Sequence, residues 1–320
     1  MILKPVENKD LFYEKASAAV GVFASKEWLS IYGSQLKLVG IHNDDQKFIG
    51  GFYYYQTSKI GASFVKLPPY TPHCGLFYFS EAKNQASVNS FSKEVVTEVC
   101  NYLSSLKSKL LVLAFHSSVT DMQPFIWGKY KVIPNYTYRI DLNKSLDDIY
   151  ANYDPKNRNK INTCLKQELS IKEDGLSNEN MFAFFKQALL SAGANVYEAE
   201  LKNIFLKFAK PGNSFCLSAF QNGKLQGAVF CAYDKEVCYY LFGGIDKNAE
   251  VSGVINLLLH KSFEKAKSIG CQTFDFEGSM LKGVEKFFRS FGPQLVPYFT
   301  INKAALPLEM LLKFKKRELF

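Results

Sequence analysis

Arginine is scarce in this sequence. Of the 39 basic residues only four are arginines, at positions 139, 158, 289 and 317, so lysine is the default cation. The net charge of +9 favours anionic ligands, but the basic residues do not form the clustered stripe that is typical of a dedicated nucleic-acid binder. An arginine in this setting indicates either a planar fork for a carboxylate or phosphate, or a structural ion pair.

Metal-binding and export signals are also missing. The seven cysteines are an odd number with no C-x-x-C spacing, which argues against a zinc site and against a disulfide framework, and predicts buried thiols and no metal. The N-terminus has no apolar core of a signal peptide, and no apolar run reaches the roughly 18 residues that span a bilayer. We therefore expect a cytoplasmic protein with no stable membrane insertion.

What the sequence has in abundance is core-forming material. Hydrophobic residues make up 47% of the chain and aromatic residues 15%, which predicts a globular protein. A length of 320 residues favours two domains, at about 150 residues per domain. We place them at 1–134 and 135–320.

Each half shows a similar order of predicted elements: helices, antiparallel strands, a long helix and a further strand. The pattern predicts a tandem pair of α+β (mixed α/β) domains, with mostly antiparallel sheets flanked by helices. In the first half the helices cover 9–19, 25–33 and 86–107, and the strands cover 36–41, 48–57 and 110–115. In the second half the helices cover 155–167, 178–192, 198–209 and 253–269, and the strands cover 136–142, 214–220, 225–233, 236–243 and 271–276.

The helix that opens the second half carries an arginine on an unusual face. Asp154 and Pro155 predict its start, and helical periodicity places Arg158 in line with Ile161 and Leu165. An arginine on an apolar stripe either reaches a structural carboxylate or points into a cleft. Together with Lys156 it could help to bind an anion near the helix N-terminus.

A second group of polar residues follows the strand 271–276. Glu277 and Ser279 would lie at the end of the sheet, where ligand pockets are common. Asp275 and Glu277 share one face of this strand. The alternative is that Glu277 caps the next helix, at 281–290.

Two further segments have both structural and functional interpretations. The proline-rich loop 66–75 contains His73, which favours ordinary loop packing because no catalytic partner set is visible. The stretch 306–320 predicts a basic amphipathic helix that docks on its own protein or, alternatively, contacts a membrane surface.

Several motifs of this chain resemble the Fem-type double-GNAT transferases, which are related to the peptidoglycan-bridge aminoacyltransferases. The resemblance covers about 36–300. It rests on 239–242, 253–269, FDFEGS at 274–279, FFRSFG at 287–292, PKNRNKI at 155–161, and PPYTP at 68–72 followed by Gly75. Two features depart from the family pattern: Phe288 stands where the family commonly has a lysine, and 249–253 lacks the usual pyrophosphate-binding glycines.

The resemblance implies a transferase built from two GNAT-like domains that moves an acyl or aminoacyl group to an amine, in cell-wall or polysaccharide metabolism. The co-substrate would be acyl-CoA or aminoacyl-tRNA, with tRNA a partner in the second case, and the acceptor a small molecule or a peptidoglycan precursor. The alternative is a non-catalytic double-GNAT protein that binds an anionic sugar, nucleotide or peptide. For the enzyme we assign the base to Glu277, an orienting group to Ser279, an acid to Tyr298, and substrate contacts to Lys156, Arg158, Tyr70, Thr71, His73 and Arg289.

Overall fold

The computed structural model describes residues 1–173, 175–278 and 280–315. The first part of the chain folds into helices and strands in alternating groups. Its strands are β1 (Ile2–Pro5), β2 (Leu36–His42), β3 (Phe48–Lys59), β4 (Ala62–Lys66), β5 (Phe77–Tyr78) and β6 (Leu110–Ala114). Its helices are α1 (Lys9–Val20), α2 (Lys26–Leu29), α3 (Gln85–Ser105) and α4 (Gln123–Trp127), with short 3₁₀ turns at Val22–Ala24 and Ser30–Gln35.

The second part continues with strands of similar length and more helices. Its strands are β7 (Lys131–Asp141), β8 (Ser170–Glu173), β9 (Ser214–Gln221), β10 (Lys224–Tyr233), β11 (Val237–Ile245), β12 (Thr273–Asp275) and β13 (Gln294–Ala304). Its helices are α5 (Leu146–Ala151), α6 (Pro155–Leu165), α7 (Asn178–Ser191), α8 (Glu198–Asn203), α9 (Val254–Ser268), α10 (Lys282–Arg289) and α11 (Leu306–Lys315), with a π-turn at Ile204–Phe208. The predicted mixed α/β class with mostly antiparallel pairing is confirmed.

The chain divides into two compact units. The first unit contains 1–135 and 297–320, and the second contains 136–296. The predicted domains end and begin at 134 and 135 and place 297–320 in the second domain, whereas the contacts group this segment with the first unit. The grouping reflects the antiparallel pairing of β13 with β6, from Thr300 opposite Ala114 to Ala304 opposite Leu110. Such a pairing across a long stretch of chain leaves no local sequence signal.

In the first unit the strand order is β1, β2, β3, β4, β6, β13, with β5 added beside β3. The contact of β4 with β6 is parallel, whereas the other pairs described here are antiparallel. Helix α3 packs its apolar face on this sheet, where Val95, Val99 and Phe52 are fully buried. The core of this unit therefore lies between the long helix and the sheet, as an amphipathic helix requires.

In the second unit the strand order is β7, β12, β11, β10, β9, β8. Helix α9 covers this sheet, and its Phe263 ring meets the ring of Phe274 on β12 edge to face, with 4.6 Å between centroids. The β11–β12 pair is parallel and short, because it joins only 237–239 with 273–275. Strand β12 ends at Asp275 whereas β11 runs on to Ile245, so the whole of β12 pairs with only the beginning of β11.

The buried face of helix α6 differs from the predicted one. Asp154 accepts a hydrogen bond from the Lys156 N–H and caps the helix as predicted. The residues that turn inward are Asn157, Ile161 and Cys164, whereas Leu165 is 54% exposed. The predicted buried face through Arg158 and Leu165 was therefore wrong by about one residue position around the helix. The side-chain amide of Asn157 is buried instead, which a helix tolerates when the amide is hydrogen-bonded.

All seven cysteines are buried thiols. Burial raises the pKa of the Cys74 thiol to about 12 and also raises the pKa of Cys271 to about 12. A thiol with such a pKa stays protonated at neutral pH and is a poor nucleophile. The prediction that the cysteines act as small buried hydrophobes is confirmed.

We predict that Ile301→Ala lowers the free energy of unfolding by about 2–5 kcal/mol. Ile301 lies on β13, is 0% exposed and packs in the core of the first unit. Leu295→Ala, on the same strand but 49% exposed, is the matched control and should change stability by less than about 0.5 kcal/mol. Urea unfolding of the full-length variants measures both values, and equal losses would show that β13 is not a core strand.

Candidate functional site

The site is built around the last residue of β12. Asp275 lies opposite Arg139 of β7 in antiparallel register and beside Tyr239 of β11 in parallel register. Side chains at paired positions of neighbouring strands point to the same face of a sheet. The fold of the second unit thus aligns a cation, a carboxylate and a phenol in one row across three strands.

The Asp275 carboxylate is only 3% exposed and accepts three hydrogen bonds. Arg139 donates from Nε to Oδ2 at 2.6 Å, and Thr137 donates from its hydroxyl to Oδ1 at 2.5 Å. The backbone N–H of Glu277 donates to the same Oδ1 at 2.8 Å. The bond from Arg139 is also a largely buried ion pair, so the arginine compensates the negative charge of Asp275.

Glu277 takes an unusual backbone conformation directly after this carboxylate. Its φ is +64°, in the left-handed region that side chains other than glycine rarely adopt, and Gly278 follows with φ +75°. The bond from the Glu277 N–H to the Asp275 side chain closes an Asx-type turn, which stabilises such a conformation. Strained residues of this kind cluster at functional sites.

The electrostatic environment of Glu277 favours the protonated acid. Burial raises the pKa of the Glu277 carboxyl well above its usual range, and the neighbouring charge of Asp275 raises it further, while Arg139 opposes the shift. The capping alternative finds no support, because helix α10 begins at Lys282 with Leu281 as its N-cap residue and has no side-chain cap bond. The predicted partner Ser279 lies outside the described residues.

Tyr239 is the phenol of this row and is 4% exposed. Burial raises its pKa well above the usual value, with further contributions from the charges of Asp234, Asp275 and Glu277. The hydroxyl therefore keeps its proton at neutral pH and remains a hydrogen-bond donor. It is a buried hydrogen-bond donor of the same unit that sequence reasoning missed.

The predicted anion anchors on helix α6 take separate places. Lys156 is exposed, whereas Arg158 is half-buried and donates from Nη1 to the carbonyl of Ala151 at 2.8 Å. This bond uses one of the five N–H groups of the guanidinium. Neither residue is part of the hydrogen bonds and ion pair that hold Asp275.

Arg289 lies on the exposed side of α10. Its Nε donates to Glu285 Oε1 at 2.7 Å, and the hydroxyl of Tyr138 donates to the same oxygen at 2.7 Å. The guanidinium is thus already in an ion pair with a carboxylate one helical turn away. Phe288, at the position of the family lysine, is buried and stacks on Phe276 at 4.7 Å between centroids.

The segment after α10 is tied to the start of α6. The carbonyl of Ser290 accepts from the Asp154 N–H at 2.9 Å and from the Asn157 side chain at 3.1 Å. Asn256 of α9 donates to the Asn157 side-chain oxygen at 2.8 Å. These bonds satisfy a buried amide and hold three helices together.

The loop before α9 is the place where GNAT enzymes bind the pyrophosphate of coenzyme A. Here the side-chain oxygen of Gln226 accepts from the N–H of Glu250 at 2.8 Å and from the N–H of Val251 at 3.2 Å. Gly253, the N-cap residue of α9, has φ +85°, and a Cβ there would lie 3.2 Å from the Lys160 carbonyl. Two amides of this loop therefore already have an internal acceptor.

The remaining predicted residues lie in the first unit. Thr71 is buried and its hydroxyl oxygen accepts from Trp28 Nε1 at 2.9 Å. His73 is buried with its ring 5.0 Å from the ring of His116, measured between centroids, and its Nδ1 accepts from the Gly75 N–H. Tyr70 has φ +60° and is half-buried, and Tyr298 is half-buried on β13. The proline-rich loop brings 70, 71 and 73 together, in a unit other than that of Glu277.

Sequence reasoning missed the residues that hold Asp275. Arg139 had a signal, because it is one of four arginines among 39 basic residues and lies within the predicted strand 136–142. Its partner could not be assigned without the register of β7 against β12, which joins residues 136 positions apart. Thr137 and Tyr239 had no signal beyond their place in predicted strands.

Comparisons with known proteins agree with this architecture. Residues 179–289 match the model of the acetyltransferase (GNAT) domain family. A comparison with the curated proteins found no matching sequence.

Three solved structures with a similar fold cover almost the whole chain. FemX matches with a TM-score of 0.68 and 10% identity over 98% of this chain and 100% of its own. The C-terminal domain of a putative lysylphosphatidylglycerol synthetase from Agrobacterium fabrum matches with 0.58 and 9% identity over 95% of each chain. A tandem GNAT protein from the clavulanic acid biosynthesis pathway matches with 0.56 and 10% identity over 94% and 98%. These structures confirm the predicted double-GNAT fold. The match of residues 179–289 to the acetyltransferase domain model supports the predicted transferase enzyme.

We predict that Glu277→Gln becomes more stable relative to the wild type as the pH rises. The pKa of this carboxyl is higher in the folded than in the unfolded state, so its contribution to stability is complete below the unfolded pKa and is lost as the pH rises through the folded pKa. Glutamine cannot ionise and escapes this loss. Urea unfolding from acid to neutral pH measures the difference.

Glu285→Gln is the control with the opposite sign. Hydrogen bonds from Tyr138 and Arg289 lower the pKa of Glu285, so its contribution is present above the unfolded pKa and is lost as the pH falls through the folded pKa. A difference between Glu277→Gln and wild type that does not change with pH would refute the raised pKa of Glu277.

Proposed function

We propose that this protein transfers an acyl or aminoacyl group to a primary amine, with Glu277 as the general base. The observation that carries the proposal is the pair of neighbouring carboxylates at the end of β12. Asp275 is charge-compensated by Arg139, whereas Glu277 has its pKa raised by burial and by Asp275. A raised pKa of the carboxyl group lies closer to the pKa of the ammonium group that it must deprotonate, so the carboxylate is a stronger base.

The reaction needs one proton transfer before the bond is made. Glu277 takes a proton from the ammonium group of the acceptor, directly or through water. The freed amine attacks the carbonyl carbon of the donor, so the N–C bond forms and the C–S bond of a thioester, or the C–O bond of an ester, breaks. The attacking nitrogen loses its second proton as the leaving group gains one, and the Tyr239 hydroxyl, in the same row as Asp275, is proposed to relay it: the hydroxyl gives its proton to the leaving group and takes one from the nitrogen. Tyr298 and Ser279 stay in the proposal as an acid and an orienting group.

The donor is proposed to enter beside the unshared part of β11. Strand β12 ends at Asp275, beside Tyr239, so β11 continues without this neighbour, and a register shift between Phe230 and Cys231 of β10 bulges β11 at Leu241. A strand that separates from its neighbour exposes backbone groups that a ligand can pair with.

The GNAT fold favours an acyl-CoA donor in general, but the loop before α9 fits its pyrophosphate poorly. Gln226 occupies the N–H groups of Glu250 and Val251, which an anion would otherwise use. For this chain we therefore keep both donors, acyl-CoA and aminoacyl-tRNA, and let the assay decide between them.

The acceptor is proposed to be an anionic amine of the peptidoglycan-precursor type. The fold shared with FemX supports this class, and the net charge of +9 favours an anionic ligand. Lys156, Arg158 and Arg289 are the proposed anion contacts in the second unit. The substrate-binding roles of Tyr70, Thr71 and His73, in the first unit, stay predictions from the sequence.

A binding protein without catalysis is the second candidate. Phe288 favours it, because a buried phenylalanine stands where Fem-type enzymes commonly carry a lysine that stabilises the oxyanion. The enzyme must then find its oxyanion donors elsewhere, whereas a binding protein needs none. Binding of the acceptor without any acyl transfer would favour this candidate.

We predict that Glu277→Gln lowers the rate of acyl transfer by about 10²–10⁴-fold, the usual contribution of a general base. The assay follows labelled acetyl-CoA and labelled aminoacyl-tRNA, each with a peptidoglycan-precursor peptide that carries a lysine side chain. Because the base must be ionised, the wild-type rate should rise with pH through the raised pKa of Glu277.

Glu236→Gln is the matched control, because Glu236 is an exposed glutamate of the same unit. It should leave the rate unchanged. If the Glu277→Gln variant has the wild-type rate, Glu277 is not the general base. If neither donor is turned over but the acceptor binds tightly, the protein is a binding protein and not a transferase.

A further inference from the structure

We propose that helix α11 and the exposed end of helix α4 bind the first unit to the surface of an anionic phospholipid membrane. The inference does not depend on the transferase reaction, since both elements belong to the first unit and Glu277 to the second. No helix among the described residues is long and apolar enough to cross a bilayer, so the contact proposed here is peripheral.

Helix α11 presents a wide apolar face to solvent. Leu306, Met310 and Phe314 recur every four residues, so they lie on one face of the helix, with Leu311 beside them. Their exposed fractions are 77%, 62%, 88% and 50%, respectively. Four large apolar side chains on one exposed face are more than a scattered surface residue and indicate an interaction surface.

The other side of α11 is less exposed. Leu308 and Leu312, again four residues apart, are half-buried, whereas the face with Phe314 is exposed. Docking of this helix on its own protein stays a prediction. A helix with one exposed apolar face offers that face to a second partner.

The positive charge beside this apolar face indicates an anionic partner. Lys313 and Lys315 lie on α11, and the sequence continues with Lys316 and Arg317. The one carboxylate of α11, that of Glu309, is bound by the Lys313 ammonium at 2.7 Å. Basic side chains that flank an exposed apolar helix face complement anionic lipid headgroups, whereas a second copy of this surface would repel it.

More lysines lie near the N-terminal end of α11. The N–H of Ala305 donates to the carbonyl of Lys109 at 3.0 Å, and Lys107 lines the same small cavity as Ala305. Both lysine side chains are exposed. The positive surface therefore extends beyond the helix onto the body of the first unit.

Helix α4 ends in an exposed aromatic residue, and the segment after it is hydrogen-bonded to the strand that precedes α11. The ammonium of Lys303, three residues before α11, donates to the carbonyl of Gly128 at 2.9 Å. The residues directly before Gly128 are Ile126 and Trp127, which are 57% and 65% exposed. Tryptophan is enriched where proteins meet the headgroup region of a membrane, because one end of its ring system is apolar and the other donates a hydrogen bond.

The test uses the full chain and the fluorescence of its two tryptophans. Trp28 is 0% exposed and should not respond, so a change in emission reports on Trp127. We expect a blue shift with vesicles of phosphatidylglycerol and phosphatidylcholine, weaker binding at high salt, and little shift with phosphatidylcholine alone. Co-sedimentation with the same vesicles measures the partition coefficient.

The double variant Met310→Ser with Phe314→Ser should lower this partition coefficient about tenfold or more, because two large apolar side chains leave the contact. The matched control is Ile60→Ser in the turn after β3, where Ile60 is 96% exposed, and this variant should bind like the wild type. Lys315→Gln should weaken binding severalfold, as expected for one basic residue near an anionic surface.

Three results would overturn the proposal. The first is no binding to the anionic vesicles, and the second is equal binding of the double variant and the wild type. The third is a dimer in sedimentation equilibrium that the double variant converts to a monomer without any vesicle binding, which would assign the face to a second copy of this chain. The thermal midpoint of the double variant should equal that of the wild type, because both replaced side chains are exposed.

Discussion

The buried ion pair between Arg139 and Asp275 is the interaction on which the rest of the site depends. It joins β7 to β12 at the place where β12 ends, and the same carboxylate accepts from Thr137 and from the N–H of Glu277. Removing one partner of such a pair leaves an uncompensated buried charge, which costs about 3–5 kcal/mol. The conformation of the turn after β12 therefore follows from an electrostatic constraint on the strand before it.

Much of the family-like closing segment 287–292 is structural in this chain. Phe288 stacks on Phe276 in the core, and Gly292, with φ +66°, lies so close to Asn152 that a Cβ would come within 2.3 Å of its carbonyl oxygen. Ser290 between them accepts two hydrogen bonds from the start of α6. Packing and glycine geometry thus account for Phe288, Ser290 and Gly292 of this motif.

The elements of the fold were predictable because hydrophobic periodicity is local. The long helices α3 and α9, the longer strands such as β3 and β10, and the cap at Asp154 follow from residues within about two turns of each other, whereas the short strands β1, β4, β5 and β8 were not predicted. What could not be predicted depends on long-range pairing: β13 with β6, and Arg139 with Asp275. The candidate base Glu277 could be found because it follows a strand, whereas its raised pKa could not, since that shift requires the burial and the neighbour that only the folded sheet supplies.

Two carboxylates two residues apart divide their roles because only one of them has a cation. Arg139 neutralises Asp275 and makes it a rigid hydrogen-bond acceptor, which then holds the N–H of Glu277 and its left-handed backbone. Burial of Glu277 and the negative charge of Asp275 both disfavour ionisation of Glu277, so the pKa of its carboxyl is raised. Had the arginine faced Glu277 instead, that carboxylate would be stabilised as an anion and would be a weaker base. The position of one arginine on β7 therefore determines which of the two carboxylates has its charge compensated.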